Sequence, residues 1–217
     1  MTSTCPTAPR RQRRRPAVVL LALSACLALT GCQISGTTHE PTSQGSTMST
    51  SEFSTLDAAG VDQIRESKTA RLDMSSGKLE KAAVRVTEDS YGPEINTRDS
   101  GKIKLTIVAP SGEITGETDR IRLNTTNKRP DFSEVTYFLT AGSPDEYFEL
   151  IRDGVARYGI DADSAERWIA GAQRDPERKT DFSITSGTST GLDVNYDLRY
   201  DGGKDTQVII VHVRPTD

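Results

Sequence analysis

Hydrophobic and polar residues follow three different patterns along this chain of 217 residues. Near the start, one continuous apolar run extends from Pro16 to Leu29. Between Gln33 and Thr55, roughly half of the residues are serine or threonine, and apolar periodicity is absent. From Leu56 onwards, short segments show the apolar periods of strands and helices. The chain therefore divides into an apolar leader, a polar connector and a body that we expect to fold as a single domain.

Period-2 alternation of apolar and polar residues predicts most strands of the body. In one segment, Ile103, Leu105 and Ile107 alternate with polar residues, which is typical of a strand that buries one face. The turn sequence at Asp201–Lys204 is typical of a hairpin between the last two strands. The predicted strands cover residues 79–86, 102–108, 119–124, 134–140, 180–185, 192–200 and 206–214.

Two helices with clear capping signals at their ends are predicted between the fourth and fifth of these strands. For the first, Ser143, Pro144 and Glu146 fit an N-cap, a first-turn proline and a capping-box acid. Gly159 fits its C-cap, and the second helix begins at Asp161 or Asp163 and ends before a proline. Their predicted buried positions are Tyr147, Ile151, Val155 and Tyr158 in the first helix and Ala165, Trp168, Ile169 and Ala172 in the second. A third, weakly amphipathic helix is predicted over residues 56–72.

Strands, then two helices, then strands again predict an α+β fold. We expect an antiparallel β-sheet of about six or seven strands with two helices packed on one face. A barrel-like closure of the sheet is the alternative.

The first 31 residues have the three-part layout of a secretory signal peptide. A basic stretch, Arg10–Arg15, precedes the apolar run, and small residues follow it. A spanning helix would need about 20 apolar residues, so the run is too short for one. This pattern predicts export of the body across the membrane.

The end of this leader resembles the lipobox of bacterial lipoproteins. Leu29, Thr30 and Gly31 supply the branched apolar residue and the two small residues that precede the invariant cysteine, Cys32. The resemblance implies transfer of a diacylglyceryl group to the Cys32 sulfur and cleavage between Gly31 and Cys32. In many bacteria an acyl chain such as palmitate is then added to the new amino terminus. The arginine-rich leader is typical of a GC-rich, actinobacterium-like source.

Cys26 offers a competing cysteine, because Leu23–Cys26 satisfies the same four-residue pattern. Lipidation at Cys26 would leave an apolar run of only about six residues, which is below the usual minimum for a signal peptide. With Cys32, the run has about a dozen residues and the polar connector begins immediately after the cut. Spacing therefore selects Cys32.

The net charge and the positions of the cysteines argue against several classes of function. Removal of the five leader arginines leaves 22 basic and 31 acidic residues, a net charge of −9. An acidic body argues against nucleic-acid binding and against electrostatic binding to anionic lipids. The only cysteines are Cys5, Cys26 and Cys32, so the body cannot form an internal disulfide or a thiolate metal site.

The body contains no recognisable catalytic or metal motif. Its one histidine, His212, lies in an apolar strand on the same predicted face as Val208 and Ile210, where a structural role is expected. The other histidine, His39, falls in the connector. Residues 193–197 match the start of an EF-hand loop, but Leu198 replaces its glycine, so no metal or cofactor is expected.

These observations predict a lipoprotein with three parts: a signal peptide (1–31), a lipidated Cys32 with a disordered tether (32–55), and an α+β extracytoplasmic domain (56–217). We expect attachment to the cell membrane through Cys32 and a non-catalytic body that binds a cell-wall component, a small molecule or a protein. An envelope hydrolase that uses a pair of carboxylates is the alternative, and a purely structural envelope protein is the third possibility.

Overall fold

The computed structural model of the protein describes residues 52–126 and 128–216. The signal peptide, Gly31, Cys32 and most of the predicted tether lie outside these residues. The helices are α1 (Ala58–Ser67), α2 (Pro144–Tyr158) and α3 (Ala162–Arg174). The strands are β1 (Thr69–Asp73), β2 (Leu79–Glu80), β3 (Glu94–Asn96), β4 (Ile103–Ala109), β5 (Gly112–Thr118), β6 (Arg120–Asn124), β7 (Asp131–Phe132), β8 (Glu134–Ala141), β9 (Lys179–Ser183), β10 (Leu192–Asp201) and β11 (Gln207–Pro215).

An antiparallel sheet of six strands, in the order β3-β6-β8-β11-β10-β9, forms the centre of the fold. One face of this sheet is buried, and α2 and α3 pack on it through aromatic side chains. The Trp168 ring of α3 lies 5.9 Å from Tyr147 of α2 and 5.6 Å from Tyr200 of β10. The predicted α+β fold, with two helices on one face of an antiparallel sheet, is confirmed.

A second sheet of three strands, β1-β4-β5, shares the buried face with these helices. Its β5 strand packs against β8, where a side chain at Gly116 would collide with Tyr137 and Leu139. The inner face of the large sheet is therefore covered partly by α2 and α3 and partly by the small sheet. This arrangement leaves β5 and α2 as neighbours above β8 and β10.

The predicted ends of α2 and α3 agree with the structure, because each end is specified by local hydrogen bonding. The Ser143 side chain accepts a hydrogen bond from the Glu146 amide at 3.2 Å, and Asp161 caps α3 in the same way. Gly159 ends α2 in the left-handed region with φ of 73°, a conformation that favours glycine.

The predicted helix over residues 56–72 is shorter than expected. It ends at Ser67, and β1 follows and runs parallel to β4. Val61 and Ile64 have the period of a helix, whereas Ala70 and Leu72 are buried with the period of a strand. The change of period at Lys68, which has φ of 55°, marks the boundary.

The predicted strand over residues 79–86 is wrong beyond its first two residues. The chain turns after β2, where the Val84 and Val86 amides both donate to the Lys81 carbonyl. Arg85 adopts φ of 60°, which no regular strand contains. This turn buries the Lys81 side chain, whose Nζ donates to the Glu88 carbonyl at 2.6 Å. The turn therefore buries a lysine whose ammonium group is satisfied by a backbone carbonyl.

Four strands were missed because their sequences carry little alternation. β1 was assigned to a helix, and β3 and β7 contain only three and two residues. β5 has one large apolar residue, Ile114, and two glycines, so its pattern is weak. Pairing with β4 along its full length makes it a strand.

Candidate functional site

A groove between β5 and α2 is the candidate ligand site in the described part of the chain. Its volume is about 560 Å³, which is within the usual range of small-ligand sites. Buried Leu139 and Tyr196 of the large sheet form its floor, and Leu105 of β4 adds apolar surface. The strand side consists of Lys102, Lys104, Thr106, Thr115, Gly116, Glu117 and Thr140, and the helix side of Glu146, Leu150, Asp153 and Arg157.

Two glycines allow the walls of the groove to pack closely on its floor. A Cβ atom at Gly116 would lie 2.8 Å from the Tyr137 ring, and one at Gly154 would lie 2.7 Å from the Tyr196 ring. Both distances are shorter than real Cβ contacts, so neither position accommodates a side chain without movement. Glycine at these positions therefore brings β5 and α2 down onto the buried tyrosines.

At one end of the groove, the last turn of α2 holds the edge of β5. The Tyr158 hydroxyl accepts a hydrogen bond from the Thr115 amide at 3.2 Å and donates to the Thr115 carbonyl at 3.1 Å. The Arg157 guanidinium donates to the Thr115 hydroxyl and also to Asp153, at 3.0 Å. We call this arrangement the Tyr158–Thr115 clasp. It closes one end of the groove and satisfies backbone groups that a free strand edge would expose.

The clasp also reveals which backbone groups of β5 remain at the open edge. The Lys104 amide bonds to Lys68 on the β1 side, so Leu105 pairs with Gly116 on the β5 side. By alternation, the amide and carbonyl of Thr115 and Glu117 point away from β4. Those of Thr115 bond to Tyr158, and Glu117 is one of the residues that line the groove.

We expect Tyr158→Phe to destabilise the protein, because it leaves the Thr115 amide and carbonyl without their hydrogen-bond partner. The expected loss in the free energy of unfolding is about 1–3 kcal/mol, measured by urea denaturation. Hydrogen exchange at the Thr115 amide should also accelerate. Tyr91→Phe is the matched control, since the Tyr91 side chain is 60% exposed and the variant should unfold like the wild type. Equal stability of both variants would show that the clasp contributes nothing.

The groove is lined by three basic side chains and three acidic ones, which are Lys102, Lys104, Arg157, Glu117, Glu146 and Asp153. Asp153 pairs with Arg157, and Glu146 accepts a hydrogen bond from the Gly142 amide at 2.7 Å. Within residues 52–126 and 128–216, the two lysines and the two glutamates form no ion pair. The groove therefore presents charged groups of both signs and no net charge.

Neutral tyrosines lie beneath these charges. Burial raises the pKa of Tyr137 well above its ordinary value, and nearby Tyr196 and Tyr158 raise it further. Burial likewise raises the pKa of Tyr196, which forms part of the floor. The floor is therefore uncharged at any physiological pH, which suits contact with apolar or hydrogen-bonding groups of a ligand.

The carboxyl groups whose pKa values clearly depart from the ordinary range are all shifted downward. They are Asp57, Asp89, Glu94, Asp131 and Glu134, and all five lie outside the groove. A hydrolase with a carboxylate pair needs one acid that stays protonated near neutral pH, which requires a raised pKa. The three carboxylates that line the groove, Glu117, Glu146 and Asp153, are not among these five groups.

His212 lies on the opposite, outer face of the large sheet, together with Val208 and Ile210 as the alternation predicted. Its Nδ1 lies 3.1 Å from Oε1 of Glu134, although the contact is poorly aligned for a hydrogen bond. Arg214 donates to the other oxygen of the same carboxylate at 2.7 Å. His212 thus lies beside the Glu134–Arg214 ion pair, which joins neighbouring strands away from the groove.

Glu134 is the centre of this network. Burial opposes its ionisation, but contacts with His212, Thr136 and Asn124 outweigh burial and hold the pKa of Glu134 well below its ordinary value of 4.5. A lowered folded-state pKa stabilises the fold above the ordinary pKa, and this stabilisation is lost as the pH falls below about 4.5. We therefore expect the free energy of unfolding to change most steeply with pH below about pH 4.5.

Glu134→Gln should remove much of that dependence. We expect it to cost about 2 kcal/mol of unfolding free energy at pH 7 and clearly less near pH 3, as measured by urea denaturation at both values. Glu66→Gln is the control, because the Glu66 side chain is exposed on α1 and lies outside the ion pairs of the described residues. A loss for Glu134→Gln that is the same at both pH values would contradict the assigned role.

The remaining predicted motifs have structural explanations. Asp193, Asn195 and Asp197 lie side by side on the outer face of β10, so their spacing reflects strand alternation. The sequence Ser186–Gly191 forms a turn in which Gly187 bridges to Val194. In the part of the chain that the structure describes, no group of three histidine, cysteine or carboxylate side chains is placed to hold a metal ion.

Sequence reasoning missed the groove, because it depends on residues far apart in the chain. Tyr158 was expected only as an apolar helix position, and Gly116 lies in a strand that was not predicted. Lys102 and Lys104 gave a readable signal, since they alternate with buried residues of β4 and so had to face solvent. Comparison with protein-family models, curated proteins and solved structures found no match for this chain.

Proposed function

We propose that this protein is a membrane-anchored lipoprotein of the bacterial cell envelope, whose body is a non-catalytic binding domain on the extracytoplasmic face. The observation that carries the anchor is the sequence Leu29–Cys32, which resembles a lipobox and stands at the end of a correctly sized apolar run. The mature chain then begins at an acylated Cys32.

Acyl chains on Cys32 are sufficient to hold such a protein at the membrane. Each buried methylene contributes about 0.8 kcal/mol, and one chain alone binds only marginally, whereas two or more chains give stable attachment. With a net charge of −9, the mature chain gains no attraction to anionic lipids. Within the described residues, no helix is long and apolar enough to cross a membrane. Lipidation is therefore the anchor that the sequence favours.

The polar connector would separate the body from the membrane. We expect the serine- and threonine-rich segment between Gln33 and the body to span about 25–30 Å, as estimated for a flexible chain of its length. The chain joins the fold at Ser54, whose amide donates to the Arg71 carbonyl at 2.8 Å. Leu56 is buried and its amide donates to Val84. The body is thus tethered beside β1 and can reach ligands beyond the lipid headgroups.

The groove supports binding as the role of the body. It combines an uncharged floor with two lysines and two glutamates that form no ion pair among the described residues, and such groups can orient a ligand. Binding is therefore the function that this geometry supports best.

Hydrogen exchange of the full mature chain in detergent, read by mass spectrometry, tests the binding role. The probes are soluble glycan fragments of a bacterial cell wall, a mixture of acetylated tetrapeptides with free carboxyl termini, and inorganic phosphate. We expect at least one probe to slow exchange in residues 112–118 and 146–157, which form the groove walls. If none of the three slows exchange there, the groove is not the binding site.

A further inference from the structure

We propose that two copies of this chain associate through the exposed edge of the large sheet, where β9 of one copy pairs with β9 of the other in antiparallel orientation. The pairing continues the six-stranded sheet across a twofold axis. This inference goes beyond the proposed binding role, because β9 does not line the groove. It rests on the open backbone of β9, the order of its charged residues and its exposed aromatic side chain.

The outer edge of β9 presents a row of free backbone groups. β9 ends the strand order of the large sheet, and among the described residues it pairs with β10 alone. On either side of β9, the Arg178 carbonyl and the Ile184 amide bond to the neighbouring hairpin, each at 3.0 Å. Backbone groups alternate in direction along a strand, so those of every second residue point away from β10. These outward residues are Lys179, Asp181 and Ser183.

β9 lacks the features that usually protect the edge of a sheet. It contains no proline, and it pairs with β10 over five consecutive residues without a bulge. Its charged side chains are neutralised within the chain, since Lys179 lies 3.6 Å from Asp201 and Asp181 lies 3.2 Å from Arg199. Phe182 lies on the same strand and is 38% exposed. The edge therefore offers backbone groups and apolar surface that a further strand can cover.

The outward residues restrict how two copies of β9 can pair. Hydrogen-bonded pairs must join outward residues of both copies, so the twofold axis lies at one of the residues 180–182. An axis at Phe182 places Lys179 opposite Thr185 of the second copy. The Thr185 carbonyl already accepts a hydrogen bond from the Asp161 amide, at 3.2 Å, in the loop between α2 and α3. This loop therefore disfavours the register centred on Phe182.

Charge selects between the two remaining registers. An axis at Asp181 places this carboxylate opposite its own copy, and like charges directly opposite each other are destabilising. An axis at Thr180 places Lys179 of each copy opposite Asp181 of the other. Within each copy, Asp201 of β10 lies beside Lys179. Arg199 likewise lies beside Asp181, so the charges alternate in sign across four strands. β9 is thus complementary to itself in this register, which favours a second copy of the chain as its partner.

The same register covers the exposed aromatic side chain. Phe182 then lies opposite the half-buried Arg178 of the second copy, on the face of the sheet that carries α3. A guanidinium over an aromatic ring contributes about 0.5–1 kcal/mol at an exposed site. The contact involves one strand from each copy and is smaller than the interface of a permanent dimer. We therefore expect a weak, reversible dimer.

Single cysteine variants test the register on the full mature chain in detergent, with copper phenanthroline as the oxidant and gel mobility as the measurement. Thr180→Cys places a sulfur on each side of the axis at a non-hydrogen-bonded pair, where the Cα atoms lie about 4.5 Å apart and a disulfide can form. We expect this variant to give a disulfide-linked dimer. Ser100→Cys, at an exposed position away from β9, reports random collisions, and the wild type reports any contribution from Cys32.

Two further cysteine variants distinguish the alternative registers. Asp181→Cys should cross-link best if the axis lies at residue 181, and Phe182→Cys should do so if it lies at residue 182. We expect both to give less dimer than Thr180→Cys. A higher yield from either would overturn the proposed register. If no variant exceeds Ser100→Cys, the pairing of β9 with a second copy is wrong.

Charge exchange between the two copies tests why this register is preferred. In the Thr180→Cys background, Lys179→Asp alone or Asp181→Lys alone should weaken dimerisation by about tenfold, because two symmetric ion pairs become pairs of like charge. Both side chains are exposed, so we expect each variant to fold. A mixture of the two variants places opposite charges together again and should restore the cross-link between them. A mixture that fails to cross-link, or single variants that dimerise like the parent, would overturn the role of charge.

These experiments are independent of the proposed binding role. Cross-linking reports on β9, whereas hydrogen exchange in residues 112–118 and 146–157 reports on the groove. Failure of the β9 pairing would therefore leave the binding role standing, and an empty groove would leave the β9 pairing standing.

Discussion

Replacing Cys32 by alanine is expected to abolish incorporation of fatty acid into the protein and to leave the signal peptide uncleaved. The sulfur of Cys32 is the proposed acceptor of the diacylglyceryl group, and alanine offers no nucleophile in its place. Cleavage between Gly31 and Cys32 follows lipidation in the family that the leader resembles. The measurement is labelling with a radioactive fatty acid in a bacterial host, combined with gel mobility of the product.

Cys26→Ala is the matched control, because it removes the competing cysteine from the apolar run and leaves the run otherwise intact. It should incorporate fatty acid and mature like the wild type. If Cys26→Ala loses the label and Cys32→Ala keeps it, the choice based on spacing is wrong. If both variants keep the label, neither pattern marks the modified residue.

The second large effect is expected from Gly187→Ala. A Cβ atom at this position would lie 2.1 Å from the Tyr158 carbonyl oxygen and 2.3 Å from the Gly159 carbonyl carbon. Both are backbone atoms at the end of α2, so no side-chain rotation relieves the collision. Alanine restricts the unfolded chain and so favours folding by about 0.4–1 kcal/mol, but the collision outweighs this gain. We expect a net loss of about 3 kcal/mol of unfolding free energy.

Urea denaturation measures this loss, and Gly203→Ala provides the control. At Gly203 the nearest atom to an added Cβ is 3.6 Å away, which is an ordinary contact, so this variant should differ little from the wild type. Because Gly187 packs against the residue that forms the clasp, Gly187→Ala should also accelerate hydrogen exchange in β5. Wild-type stability for Gly187→Ala would show that α2 is free to move at this end.

The parts of the fold that were predicted well are those specified by neighbouring residues. Ser143, Pro144 and Gly159 fix the ends of α2 through local hydrogen bonds and backbone preferences. The long strands β10 and β11 alternate over many residues, and a short turn sets their pairing. In such segments, local conformational preferences agree with the tertiary packing, so the local sequence is sufficient to predict the element.

The parts that were predicted poorly depend on distant contacts. β5 is a strand because β4 pairs with it and β8 packs under it, while its own sequence contains two glycines and little apolar pattern. Lys81 is buried by a turn that no period reveals. The clasp joins Thr115 to Tyr158 across more than 40 residues of sequence. No local pattern could have placed these two residues together, so the groove required the structure.

Lipid attachment at Cys32 is tested most directly by the mass of the amino-terminal peptide of the mature protein, purified from the membrane fraction of a bacterial host and digested. We expect a peptide that begins at Cys32 and carries a diacylglyceryl group, with or without an additional acyl chain on its amino group. A mature chain that begins at another residue, or an unmodified Cys32 in the membrane-bound protein, would contradict attachment at this residue.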